Sequence, residues 1–121
     1  MRRTIGTLAL SLTLALGLAA CAPSAEPLDL EEGTVLLDVR TPGEFASGHL
    51  EGALNVDVQA ADFDARVAEL DPDAAYVVYC RTGNRSGQAI ARMEALGFTD
   101  LTNGGSVEGA AAATGIPIIT D

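Results

Sequence analysis

Cys80, Arg81, Thr82, Gly83, Asn84, Arg85 and Ser86 stand in an unbroken row, CRTGNRS, between the apolar run AYVVY and a stretch of helical periodicity. A cysteine is a strong nucleophile only as the thiolate, so its chemistry depends on what stabilises the anion. A loop entering a helix N-terminus turns several backbone N–H groups inward, and the helix dipole adds partial positive charge. Gly83 permits a tight curve, and Arg81 and Arg85 add two full charges. All of these favour an anion. The Cys80 thiol is therefore expected to ionise below about 8.5, in the ~3.5–7.5 range of thiols at helix N-termini and beside cations. Cys80 is the candidate nucleophile, with Arg81, Thr82, Gly83, Asn84, Arg85 and Ser86 beside an anionic substrate. Ser86 also reads as the cap of the helix that follows.

The elements that must hold this loop follow from pattern. TVLLDV and AYVVY are continuous apolar runs, suited to strands buried on both faces. Between them, Thr41, Pro42 and Glu44 occupy the N-cap, first and third positions of a capping box, in a helix that Gly48 must end. GHLEGALNVDV reads as a turn and a second short strand. Phe63, Val67 and Leu70 share a helical stripe that stops at the turn Asp71-Pro72-Asp73. From Ser86, residues Ala89, Ile90, Met93 and Leu96 share one face, with Gly97 as the stop. FTDL is a further strand, Gly104-Gly105 a turn, and SVEGAAAAT a short last helix. Strands alternating with helices imply an α/β domain with a mainly parallel sheet, and ligand sites in such sheets lie beyond the carboxyl ends of the strands. Cys80 is at such an end. Asp38 and Arg40 close the first strand on the same side, and read as an ion pair that braces the loop, with contact from Arg40 to substrate as the alternative. His49 reads as a turn or packing residue.

The first 20 residues have the character of a leader. Arg2 and Arg3 precede an apolar segment from Ile5 to Ala20, which is shorter than the ~20 residues of a spanning helix and reads as a secretory signal. Leu18-Ala19-Ala20-Cys21 resembles the bacterial lipobox, and that resemblance implies lipid attachment at Cys21. Residues 21–30 are then a tether and residues 31–121 the domain, extracytoplasmic and lipid-anchored to a bacterial membrane surface. Cys21→Ser is expected to release the chain from the membrane fraction; a variant that still sediments with membranes overturns the lipobox reading. With lipid on Cys21, Cys80 has no intramolecular partner, and a lone thiol in an oxidising setting is a liability unless it is used.

Seven cations, all arginine, face 17 carboxylates, for a net charge of −10 that becomes −12 without Arg2 and Arg3. Such a surface repels nucleic acid, which is excluded as a partner. It does not prevent local binding of an anion, because spread surface charge is screened within ~8 Å while loop donors act in contact. The overall field slows association. No metal site or cofactor is expected.

LLDVRTPGEFASGHLEGALNV, VVYCRTGNRS and NGGSVEGAAAATGIPI together resemble a single-domain rhodanese over roughly residues 31–119. The resemblance implies a three-layer domain, a mainly parallel central sheet flanked by helices. It also implies a Cys80–Arg85 loop that cradles a persulfide on Cys80. A small sulfur-containing anion such as thiosulfate would donate sulfane sulfur, and a thiol or cyanide-like acceptor would remove it in a second half-reaction. No general base is needed when the thiolate is preformed, which suits a chain with one histidine. Phosphatases of similar fold place five residues between Cys and Arg; four separate Cys80 from Arg85, a ring better sized for sulfur than for a phosphoryl group. This chain departs from the rhodanese pattern in having few residues before LLDVR, Gly109 and Ala110 where an aromatic is common, and Glu51 where proline is usual. The competing reading is a persulfide carrier or thiol redox sensor without turnover, although sensors often carry a resolving cysteine.

Overall fold

The computed structural model describes residues 27–120, so the leader and Cys21 lie outside the described residues. In chain order the elements are β1 (Val35–Asp38), α1 (Pro42–Ala46), β2 (His49–Leu50), β3 (Leu54–Asn55), α2 (Phe63–Val67), β4 (Ala75–Tyr79), α3 (Asn84–Ala95), β5 (Asp100–Gly105), α4 (Val107–Thr114) and β6 (Ile118–Ile119). The central sheet runs β3-β1-β4-β5 with every neighbouring pair parallel. β2 and β6 pair antiparallel in a separate small sheet, His49 opposite Ile119. Among the described residues no helix is long and apolar enough to cross a membrane.

Alternation along the strands divides the interior in two. Leu37, Val39, Tyr76, Val78 and Cys80 face one side, where Phe63 and Val67 of α2 and Ala89 and Met93 of α3 complete the larger core. Leu36, Val77 and Tyr79 face the other side, against Leu50 and Val107 and Ala110 of α4. These are the three expected layers. Phe63 and Val67 are fully buried, and each such side chain contributes about 1.5–3 kcal/mol, which holds so short a helix as α2 in place.

The capping box at α1 forms with both reciprocal bonds, Glu44 N–H to Thr41 Oγ1 and Thr41 N–H to Glu44 Oε1, each at 3.3 Å. His49 is buried on β2 and its ring stacks on Phe45 at 3.7 Å between centroids, which is a packing role.

Two local expectations are corrected, and one further element is added. Gly104-Gly105 is not a turn: β5 continues through both residues, and its pairing with β4 slips by one, Val78 opposite Asn103 and Tyr79 opposite Gly105. Gly104 is the extra residue of this bulge. A Cβ there would stand 2.9 Å from Val77 Cγ1 and 3.2 Å from Ala110 Cβ, so close packing by β4 and α4, not turn geometry, explains the glycine. Leu96 is 43 % exposed: α3 ends at Ala95, and Leu96 is its C-cap, past the face that buries Ala89 and Met93. The segment around Ile118, which carries no strong period, becomes a strand only because β2 pairs with it.

Candidate active site

The end of β4 fixes Cys80. Its N–H donates to the Gly105 carbonyl at 3.0 Å, so the residue still belongs to the sheet as the chain turns into the loop. The chain then reverses at Gly83, whose φ of +95° puts it at the N-cap of α3 without a capping side chain. This is a backbone state that glycine reaches at little cost. Its position is also crowded, since a Cβ would lie 3.3 Å from Gly105 Cα. In this conformation the Gly83 N–H donates to Cys80 Sγ at 3.0 Å.

Ser86 is not the helix cap. It lies inside the first turn of α3, fully buried, with its hydroxyl 3.5 Å from Cys80 Sγ and 2.7 Å from Asn103 Oδ1. Helical spacing brings it back over the sulfur, and the vacant cap position is filled by Gly83. Thr82 and Asn84 are exposed, and the Asn84 N–H reaches Thr82 Oγ1 at 3.4 Å.

Cys80 itself is fully buried and shares the larger apolar core. Burial pushes the thiol up. The Ser86 hydroxyl and the N–H groups of Ser86, Thr82 and Gly83 outweigh it and bring the thiol down to about 7 from the ordinary 9.0. The polar ring does this inside a low-dielectric site, where each donor counts for more than it would in water. Because the folded value lies below the unfolded one, the thiolate's contribution to stability is complete above about 9 and is lost as pH falls through about 7. Thiolate ultraviolet absorbance, taken as wild type minus Cys80→Ser, is expected to rise with a midpoint near 7; a midpoint at or above 8.5 contradicts the ring's effect.

The arginines divide the work differently from the sequence expectation. The sequence predicts a full charge from Arg85 beside the sulfur, yet its two terminal nitrogens clamp Glu44 at 2.7 and 2.8 Å, tying α3 to α1. The Arg85 guanidinium in turn holds the Glu44 carboxyl down at about 2. The loop's stabilisation of the thiolate therefore comes from amides and a hydroxyl, with Arg85 neutralised in a pair. Arg40 is 5 % exposed and turns its Nε and Nη2 to Asp38 at 2.7–3.1 Å, while Nη2 also reaches the Gly48 carbonyl at 2.6 Å. The Asp38–Arg40 pair fastens the end of β1 to the turn before β2, next to the loop. Arg81 is exposed and is in no ion pair among the described residues.

A cavity of about 350 Å³ opens beside the loop, lined by Arg40, Glu44, Ser47, Arg81, Val107 and Glu108. Cys80 is buried and does not line it. A smaller space of about 80 Å³ sits at the opposite, amino ends of β4 and β5 under Leu28 to Glu31, and holds no nucleophile.

Asn103 is the residue that motif reading missed. From β5 its Nδ2 donates to the Gly83 carbonyl at 3.0 Å, while its Oδ1 accepts from Ser86 Oγ and from the Gly105 N–H at 2.9 Å. One side chain thus joins the loop, the first turn of α3 and the strand end. No local pattern signals it, because its loop and helix partners, Gly83 and Ser86, lie 20 and 17 positions away.

The family model described as "Rhodanese-like domain" matches residues 26–111, most of the chain. The chain belongs to the rhodanese-like family. A thiosulfate sulfurtransferase GlpE from Pseudomonas putida is 39% identical over 82 residues, spanning 65% of this chain and 72% of that protein. A sulfurtransferase from Allochromatium vinosum is 37% identical over 90 residues, 73% of this chain and 80% of its own length. Among solved structures, a rhodanese with anions from E. coli superposes with a TM-score of 0.61 at 26% identity, covering 73% of this chain and 99% of that one. In this chain the family's α/β architecture carries Cys80 at the carboxyl end of β4, under the CRTGNRS loop.

Proposed function

We propose that this rhodanese-like chain is a sulfurtransferase that carries sulfane sulfur as a persulfide on Cys80, taking it from a small anion such as thiosulfate and passing it to a nucleophilic acceptor. The observation that carries the reading is the placement of Cys80 Sγ at 3.0 Å from the Gly83 N–H and 3.5 Å from Ser86 Oγ. The names of its relatives, thiosulfate sulfurtransferase and sulfurtransferase, support the same chemistry.

In the first half-reaction the Cys80 thiolate attacks the outer sulfur of thiosulfate, a new S–S bond forms, and sulfite leaves with the electron pair of the old one. The acceptor then takes the outer sulfur and returns Cys80 to the thiolate. Sulfite is a stable leaving anion, so no acid or base beyond the preformed thiolate is required. The Cys80 sulfur has no exposed surface, so loading requires the loop from Arg81 to Arg85 to yield toward the cavity. Incubation of the full chain with thiosulfate is expected to leave Cys80 heavier by one sulfur atom in peptide mass spectra, reversible by cyanide. Unchanged mass at Cys80 overturns the persulfide route.

A further inference from the structure

The reading above leaves the acceptor open, and the cavity's charges bear on it. Four ionised side chains line it: Arg40, Glu44, Arg81 and Glu108. Two of them are already spent. Arg40 commits its Nε and Nη2 to Asp38 and Gly48, and both carboxylate oxygens of Glu44 receive the Arg85 guanidinium. Arg81 and Glu108 remain, both exposed and both outside every ion pair among the described residues. Arg81 follows Cys80 directly in sequence, and Glu108 stands in the first turn of α4, where the helix dipole favours an acid.

The wall therefore presents one uncompensated cation and one uncompensated anion. A simple dianion gains from Arg81 and is repelled by Glu108. A molecule bearing both a carboxylate and an ammonium group complements the pair, and about 350 Å³ is within the size of small-molecule sites. We propose, on the basis of the sulfur-transfer reading, that the acceptor is a small zwitterionic thiol of the amino-acid class, its carboxylate held by Arg81 and its ammonium by Glu108. The acceptor thiolate attacks the outer, protonated sulfur of the Cys80 persulfide. The S–S bond to Cys80 breaks, its electron pair returns to Sγ, and the transferred sulfur leaves with its proton on the acceptor. No oxidant or reductant is consumed.

The test uses full chain loaded with thiosulfate and desalted, then mixed with four two-carbon-linked thiols that carry both charged groups, one or neither: cysteine, cysteamine, 3-mercaptopropionate and 2-mercaptoethanol. Each variant is compared with wild type on the same thiol, which cancels intrinsic thiol reactivity. For exposed ion pairs the expected effects are modest. Glu108→Gln should reduce the second-order rate constant for discharge about threefold more for cysteine and cysteamine than for the two thiols without ammonium. Arg81→Gln should reduce it about threefold more for cysteine and 3-mercaptopropionate than for the two without carboxylate. That crossed pattern supports the zwitterionic acceptor. Equal effects on all four thiols, or none, overturn it even when cyanide still discharges the persulfide. Failure of cyanide to discharge wild type overturns the sulfur-transfer reading itself, and this inference with it.

Discussion

Cys80→Ser is expected to lower thiosulfate-dependent thiocyanate formation by at least ~10⁴-fold, to the rate of the reagents alone. The serine hydroxyl ionises far above physiological pH, and the ring of Gly83, Thr82 and Ser86 amides that brings a thiol down to about 7 cannot bring an alcohol into range. Oxygen also cannot hold a transferable sulfane sulfur in a bond that an acceptor reopens. The variant should stay folded, because the hydroxyl is smaller and still accepts from the Gly83 N–H. It should lose one pH-dependent contribution, however. A thiol lowered from 9.0 to about 7 stabilises the fold by on the order of 2–3 kcal/mol once pH exceeds about 9. Wild type should therefore gain stability over the variant as pH rises from about 7 to about 9. Residual turnover in Cys80→Ser, at a rate above the reagents alone, would place the chemistry elsewhere.

The chemistry was legible where it rested on local sequence. CRTGNRS announced a cysteine at a strand end before a helix, and Thr41, Pro42 and Glu44 formed the capping box that their spacing implied. What local sequence could not supply was the identity of partners far along the chain. Glu44 satisfies its own helix cap and also binds Arg85, 41 positions away, so the loop charge assigned to substrate was partly neutralised. Gly104 and Gly105 resemble turn residues by composition, yet a bulge and the close approach of α4 use the same chemistry inside a strand. Ser86 matched a cap by type, but the cap falls three residues earlier, at Gly83, which adopts a positive φ. Asn103 had no motif at all. In each case tertiary contact decided among roles that the residue type left open.

Asp38→Ala should be the most destabilising single change near the site, by about 3–5 kcal/mol, a large share of the ~5–15 kcal/mol that holds a domain together. Asp38 is fully buried and Arg40 is 5 % exposed. The carboxylate receives the Arg40 backbone N–H at 3.0 Å as well as Nε and Nη2. Removing it leaves a guanidinium away from water with the Gly48 carbonyl as its remaining acceptor, and leaves a backbone N–H without its partner. The loss is expected as a lower urea midpoint with an unchanged denaturant slope. Arg40→Met in the Asp38→Ala background should recover much of it, since the stranded charge is then gone and the methionine fills similar space. The recovery separates an ion pair that is costly only when broken from one that supplies net stability. If the single variant loses less than about 1 kcal/mol, water reaches Arg40 and the pair does not brace the strand end. If the double variant is folded but no longer loads sulfur, Arg40 contributes to the cavity beyond its bond to Asp38.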